Sequence, residues 1–224
     1  MIPDATTPHP AQTAAGPPDA WDDVRRLEEW AGEVRVNLIR LTGIVLFYGR
    51  HLVEYLLAAP DAPVRGAYHL RITWVAAAWA AAVLLVRFQL ARRVVPPWLK
   101  FATSAWDLFL VTLVCMLAGG PRTPLVLLLF LVIAMSPLRL SLRLVYATTA
   151  GAIVAYLALL AFYAWGKVGF EKYYSTPELR IPRSEQAVYV LALLVAGLLA
   201  GQAVRQARRI AGGYPVSVSP PGGG

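Results

Sequence analysis

Apolar positions along this chain form long runs separated by short polar breaks, not the narrow stripes of a water-soluble helical protein. The runs at about 36–58, 70–90, 98–118, 144–165 and 186–204 are close to the ~20 residues that carry a helix across a bilayer. A further run, 124–138, is shorter. At about 1.5 Å per residue it reaches roughly 22 Å, so it must thin the bilayer or lie partly re-entrant. Pro137 ends or kinks it, Pro60 follows the first run, and Gly119-Gly120-Pro121 stops the third. The pattern predicts an all-α fold, a polytopic membrane helical bundle of about six transmembrane helices.

Residues 21–35 follow a different rule. Val24, Leu27, Trp30 or Ala31, and Val34 recur at helical spacing, with Asp22, Asp23, Arg25, Arg26, Glu28, Glu29, Glu33 and Arg35 between them. This predicts a short amphipathic N-terminal helix, lying in the membrane interface or extending the first span into the cytoplasm. Residues 1–20 hold five prolines and no basic residue, unlike a signal peptide, and read as a disordered tail. Residues 207–224 read as a basic exit and a second disordered tail.

Composition strengthens the membrane reading. The chain is 58% hydrophobic and 15% charged, and once the apolar runs are set aside only tails and short loops remain. The net charge of +8 raises nucleic acid as a partner, but the basic residues sit at the ends of apolar runs and not in one patch. With the N-terminus placed in the cytoplasm, thirteen of the 21 basic residues fall on the inner side. Both termini are therefore expected inside a cell inner membrane. The longest outer connection, 166–184, reads as an exposed loop. Many alanines and arginines with three lysines suggest a bacterial chain, and Cys115 reads as a packing residue. Ala147, Gly151 and Ala155, and Gly197 with Gly201, offer close-approach surfaces, first for packing within the chain and second for a homodimer.

Ionisable groups inside apolar runs carry the candidate chemistry, because each is costly in hydrocarbon unless paired or hydrated. Asp107 lies in the third run, with Arg40 at similar depth and Arg87 as a rival partner. A second intramembrane polar cluster comprises Arg50, His51 and Glu54 with His69 and Arg71. It has three open uses: holding a small ligand, binding a lipid headgroup, or satisfying itself by snorkelling. Two histidines alone do not make a haem site, and no acidic cluster, metal-ligand spacing, nucleophile motif or phosphate loop points to an enzyme.

From Trp106-Asp107 through Gly119-Gly120-Pro121-Arg122-Thr123-Pro124-Leu125 the chain resembles the six-span membrane sensor module of RegB-type redox-responsive histidine kinases. That family carries a Gly-Gly-x-x-Asn-Pro-Phe loop, linked to quinone sensing, between its third and fourth spans. Here Thr123 stands in place of the Asn and Leu125 in place of the Phe. The resemblance implies ligand contact at Gly119, Gly120, Thr123, Pro124 and Asp107, with quinone as the ligand. About 15 residues follow Arg209, so the expectation is a sensor module without kinase domains that signals to a separate cytoplasmic partner. Two other classes stay open: a structural subunit or assembly factor of a membrane complex, and a small transporter.

Overall fold

The computed structural model describes residues 18–59, 66–92, 96, 98–176 and 180–212. Helices α1 (Pro18–Leu57), α2 (Ala67–Ala91), α3 (Leu99–Leu117), α4 (Leu127–Met135), α5 (Leu142–Ala161), α6 (Phe170–Ser175) and α7 (Arg183–Gly212) make up the fold, and no strand occurs among the described residues. Of the expected tails, 1–17 and 213–224 lie outside the described residues. Helix occupies 18–20 and 207–212, because α1 and α7 continue past the apolar runs.

Four helical segments are long and apolar enough to cross a membrane: Ala67–Ala91, Leu99–Leu117, Leu142–Val168 and Arg183–Ile210. This is a coarser result than the six crossings expected, and both shortfalls have a physical origin. The apolar half of α1 is interrupted by Arg40, Arg50 and Glu54. The segment Pro124–Arg139 is apolar but short. It is built as α4 with a 3-10 turn at each end, Pro124–Val126 and Ser136–Arg139, the second placed where Pro137 ends the α-helical bonding. Since a 3-10 turn rises about 2.0 Å per residue, the whole segment reaches about 28 Å, further than an α-helix of that length.

α1 is one unbroken helix from Pro18 to Leu57, so 21–35 and the first apolar run share one axis. Its described inner face is largely polar. Leu27 is 62% exposed and Trp30 39%, whereas Gly32, Glu33, Val36, Asn37 and Arg40 face the bundle. A Cβ on Gly32 would stand 2.5 Å from the Leu138 carbonyl oxygen, so glycine lets α1 meet the turn after α4 backbone to backbone.

The apolar core joins Leu108, Val111 and Cys115 of α3, Leu129, Val132 and Ile133 of α4, Ala152, Tyr156 and Leu159 of α5, and Leu193 and Val204 of α7. α7 lies on α5 with Gly197 against Thr149 and Gly201 against Tyr146. Gly151 faces Leu108 of α3, while Ala147 is exposed. Outward, residues such as Leu46, Leu84, Phe109, Val154, Leu191 and Leu199 stand in the open on helix after helix, a surface that water would not tolerate and lipid solvates.

Two ends can be told apart. Trp30, Leu90, Lys100, Arg139, Leu140 and Arg208 converge at a basic end: Trp30 Nε1 donates to the Leu90 carbonyl and Arg208 to that of Leu140. At the opposite end the connection after α5 is a folded cap and not an exposed loop. A π-helical turn, Phe162–Val168, leads to α6, and Tyr163, Ala164, Tyr173 and Ile181 form a small second core.

Candidate functional site

α1 sends Glu33, Asn37 and Arg40 inward at positions i, i+4 and i+7, which share one helix face. Arg40 Nε donates to both Asp107 oxygens, at 2.9 and 2.8 Å, and Nη2 adds a third contact to Oδ2. Trp79 Nε1 of α2 donates to Asp107 Oδ1 at 3.2 Å. Arg87 is exposed and is not the partner. One turn nearer the basic end, Arg139 Nη2 forms an ion pair with Glu33 Oε2 at 3.0 Å and donates to Thr103 Oγ1 at 3.0 Å. Arg139 Nη1 donates to the Lys100 carbonyl and Ser104 Oγ at 2.8 and 2.7 Å. Asn37 Nδ2 reaches the Val83 carbonyl at 3.2 Å. All four charged residues are at most 5% exposed. The layer therefore carries two positive and two negative charges with no net charge, the condition under which ionised groups persist in a low-dielectric interior.

A groove of about 620 Å³ opens between α2 and α3 toward the lipid-facing surface. Ala78, Ala81 and Ala82 make room for it, Trp98 and Trp106 flank it, and Arg40 and Asp107 line it. Arg40 spends Nε and Nη2 on Asp107, and its Nη1 amino group has no hydrogen-bond partner among the described residues. A strong, permanently charged donor thus remains for an acceptor arriving through the groove.

The glycine-rich loop lies elsewhere. Gly119 and Gly120 take φ values of +124° and +87°, and Gly120 N–H donates to the Cys115 carbonyl at 2.8 Å, closing α3 with a left-handed turn. A Cβ on Gly120 would stand 2.7 Å from the Tyr163 ring, so this glycine also seats the cap. Thr123 Oγ1 accepts from Leu125 N–H and Pro124 opens the 3-10 turn. None of Gly119, Gly120, Thr123 and Pro124 lines the groove, and about 18 Å of α3 separates Asp107 from Gly119. The structure therefore divides this candidate set. Asp107 belongs with Arg40, and the loop residues belong to a turn and a cap.

The second cluster gathers at the end opposite the basic one. His51 Nε2 and His69 Nδ1 are 3.1 Å apart, Tyr55 stacks on His69 at 3.8 Å between centroids, and Tyr68 meets His51 edge-on. Arg50 pairs with Glu54 on an open face, with side chains 72% and 48% exposed. Arg71 is exposed and takes no part. Among the described residues, no group of three or more histidine, cysteine, aspartate or glutamate side chains is placed to hold a metal ion.

Sequence reasoning missed Glu33, Arg139 and Trp79. Glu33 was hidden in a charge-rich stretch, although the triplet Glu33, Asn37, Arg40 already forms a polar stripe. Trp79 looked like one more apolar residue of its run. No family model matches the chain, and neither a curated protein nor a solved structure does.

Proposed function

We propose that this chain is a six-span membrane module of sensor type, in which the groove between α2 and α3 takes a small lipid-phase molecule bearing a carbonyl or similar acceptor. The observation that carries this reading is the unpartnered Nη1 of Arg40, a buried guanidinium at the wall of a groove open to lipid. A quinone ring is the ligand class the family resemblance suggests. Its carbonyl suits Arg40, its ring fits between alanine walls, and its tail leaves laterally into the bilayer.

In this reading α1 and the segment 124–139 complete the six crossings. The internal pairing of α1's buried charges lowers the expense of placing them in a membrane, and the 3-10 turns bring the short segment near the ~30 Å hydrocarbon thickness. The basic end, rich in arginine, faces the cytoplasm of an inner membrane and brings the start of α1 and the end of α7 to that side. Because Arg40 and Glu33 join α1 to α3 and to the turn after α4, a ligand that competes for Arg40 shifts α1 relative to the bundle. It does so only to the extent that it binds the two packings differently. The cytoplasmic lengths of α1 and α7 pass that shift to a separate partner. Internal pairing of the buried charges favours this over a subunit awaiting a partner's counter-charges. The largely apolar lining between Trp79 and the histidine cluster favours it over a polar transport path.

Titration of purified protein in nanodiscs with a short-chain quinone tests the proposal. Saturable binding that falls at least tenfold in Arg40→Lys, which keeps the charge and loses the fork, is the expected result. Equal binding by the two proteins would remove the groove from the account.

A further inference from the structure

A second cavity, of about 110 Å³, lies between α1, α2, α3 and the start of the 124–139 segment at the histidine end. Its walls are largely apolar, with Ile44 and Phe47 of α1, Val75 of α2, Val114 of α3, and Leu125 and Leu128, and the Tyr48 hydroxyl on its wall is engaged with Thr73. At one end it meets Trp79, and at the other Arg50, His51, Glu54 and Tyr68. Arg50 and Glu54, both exposed, stand at the histidine end of the cavity, away from the residues that line the groove. His51 is only 8% exposed. Its Nε2 is engaged with His69, while its Nδ1 has no hydrogen-bond partner among the described residues and His51 lines the cavity.

We infer that this cavity is a binding site for a neutral single-ring molecule carrying one hydroxyl or carbonyl group. The volume is on the order of the ~150 Å³ apolar cavity that takes benzene, enough for one ring and too small for a ring with a membrane tail. Apolar walls reward burial of the ring. A free imidazole nitrogen at the mouth end asks for one hydrogen bond: it is an acceptor in the tautomer whose Nε2 donates to His69 and a donor in the tautomer whose Nε2 accepts from it. The opposed charges of Arg50 and Glu54 leave the mouth without net charge, which disfavours ions. Trp79 lines this cavity and also donates to Asp107 at the α2–α3 groove, so the probes are titrated with no quinone present.

The test uses full-length protein labelled with 5-fluorotryptophan in nanodiscs, with the Trp79 resonance assigned by its loss in Trp79→Phe. Phenol and benzene are the probes. The expected result is a saturable shift of the Trp79 signal, about two- to tenfold tighter for phenol than for benzene, the difference one hydrogen bond makes. His51→Leu is expected to erase that preference. Two variants fill the cavity, Ala76→Leu and Gly43→Leu, the latter at a position where a Cβ meets nothing within 4 Å. Both are expected to abolish the shift. A shift that never saturates, that survives both filled variants, or that is equal for the two probes overturns the inference. The quinone titration uses different variants, so failure of one site leaves the other measurable.

Discussion

The two polar clusters use nearly the same residue types in opposite ways. At the basic end Arg40 and Asp107, and Arg139 and Glu33, are buried among four helical segments, where Trp79, Ser104, Thr103 and the Lys100 carbonyl add hydrogen bonds and Arg139 Nε is left without one. At the histidine end Arg50 and Glu54 lie on neighbouring turns of one helix and stand mostly exposed. The first arrangement links elements far apart in sequence, and the second links α1 only to itself. An arginine–carboxylate pair is therefore structural or functional according to its burial and to what it joins. Charge and distance are alike in both places and do not distinguish them.

The largest expected effect tests this contrast at its buried side. Asp107→Leu strands Arg40 and is expected to cost about 3–5 kcal/mol, read as a fall in the thermal midpoint of detergent-solubilised protein. Adding Arg40→Met removes the stranded charge and is expected to restore most of the loss. Should the double variant be as unstable as the single one, the pair contributes more than mutual neutralisation. Glu33→Leu strands Arg139 in the same way, with a somewhat smaller loss of about 3 kcal/mol because Arg139 keeps three other acceptors.

Gly32→Ala comes next. Its Cβ meets backbone, which cannot swing aside, and about 1–3 kcal/mol of overpacking is expected in the same assay. At the seam of α5 and α7, Gly197→Ala pushes on the Thr149 side chain. About 1 kcal/mol is expected, recovered when Thr149→Ala is added, as a double-mutant cycle will measure. The smallest effect belongs to the exposed pair: Glu54→Gln is expected to change stability by less than about 0.5 kcal/mol. A loss comparable to that of Asp107→Leu would abolish the contrast between the two ends.

Much of this was legible in the chain because hydrophobic runs and punctuation are local signals. The spans around 70–90, 144–165 and 186–204 lie within three of the four apolar helices and that at 98–118 overruns the fourth by one residue at each end, and Gly119-Gly120 and Pro137 mark real stops. Depth along a helix alone sets Asp107 level with Arg40 and His51 level with His69, and both pairs are in contact. Rotation about α1 was less accessible. Its apolar positions mark an amphipathic stretch without saying which side meets the bundle, whereas only the bundle can neutralise Glu33 and Arg40. In a membrane such a polar stripe points inward. The cap at 162–181 was hidden for another reason: Tyr163, Tyr173 and Ile181 meet through a π-helical turn and a short helix that carry no periodic signal. The second task of Gly120, seating Tyr163, is not visible in the chain because it involves a residue more than forty positions away.

The most direct test of the groove as a ligand site uses membranes of a host that makes quinones. Wild-type protein and the Arg40→Met/Asp107→Leu variant, which keeps the bundle neutral while removing the groove's polar wall, are extracted into polymer-bounded native nanodiscs. Their organic extracts are then compared by mass spectrometry. A quinone-class compound retained in fixed proportion to wild-type protein and lost from the folded double variant is the expected result. Identical extracts from the two proteins, or no small molecule above the bulk lipid composition in either, would contradict the groove as a ligand site.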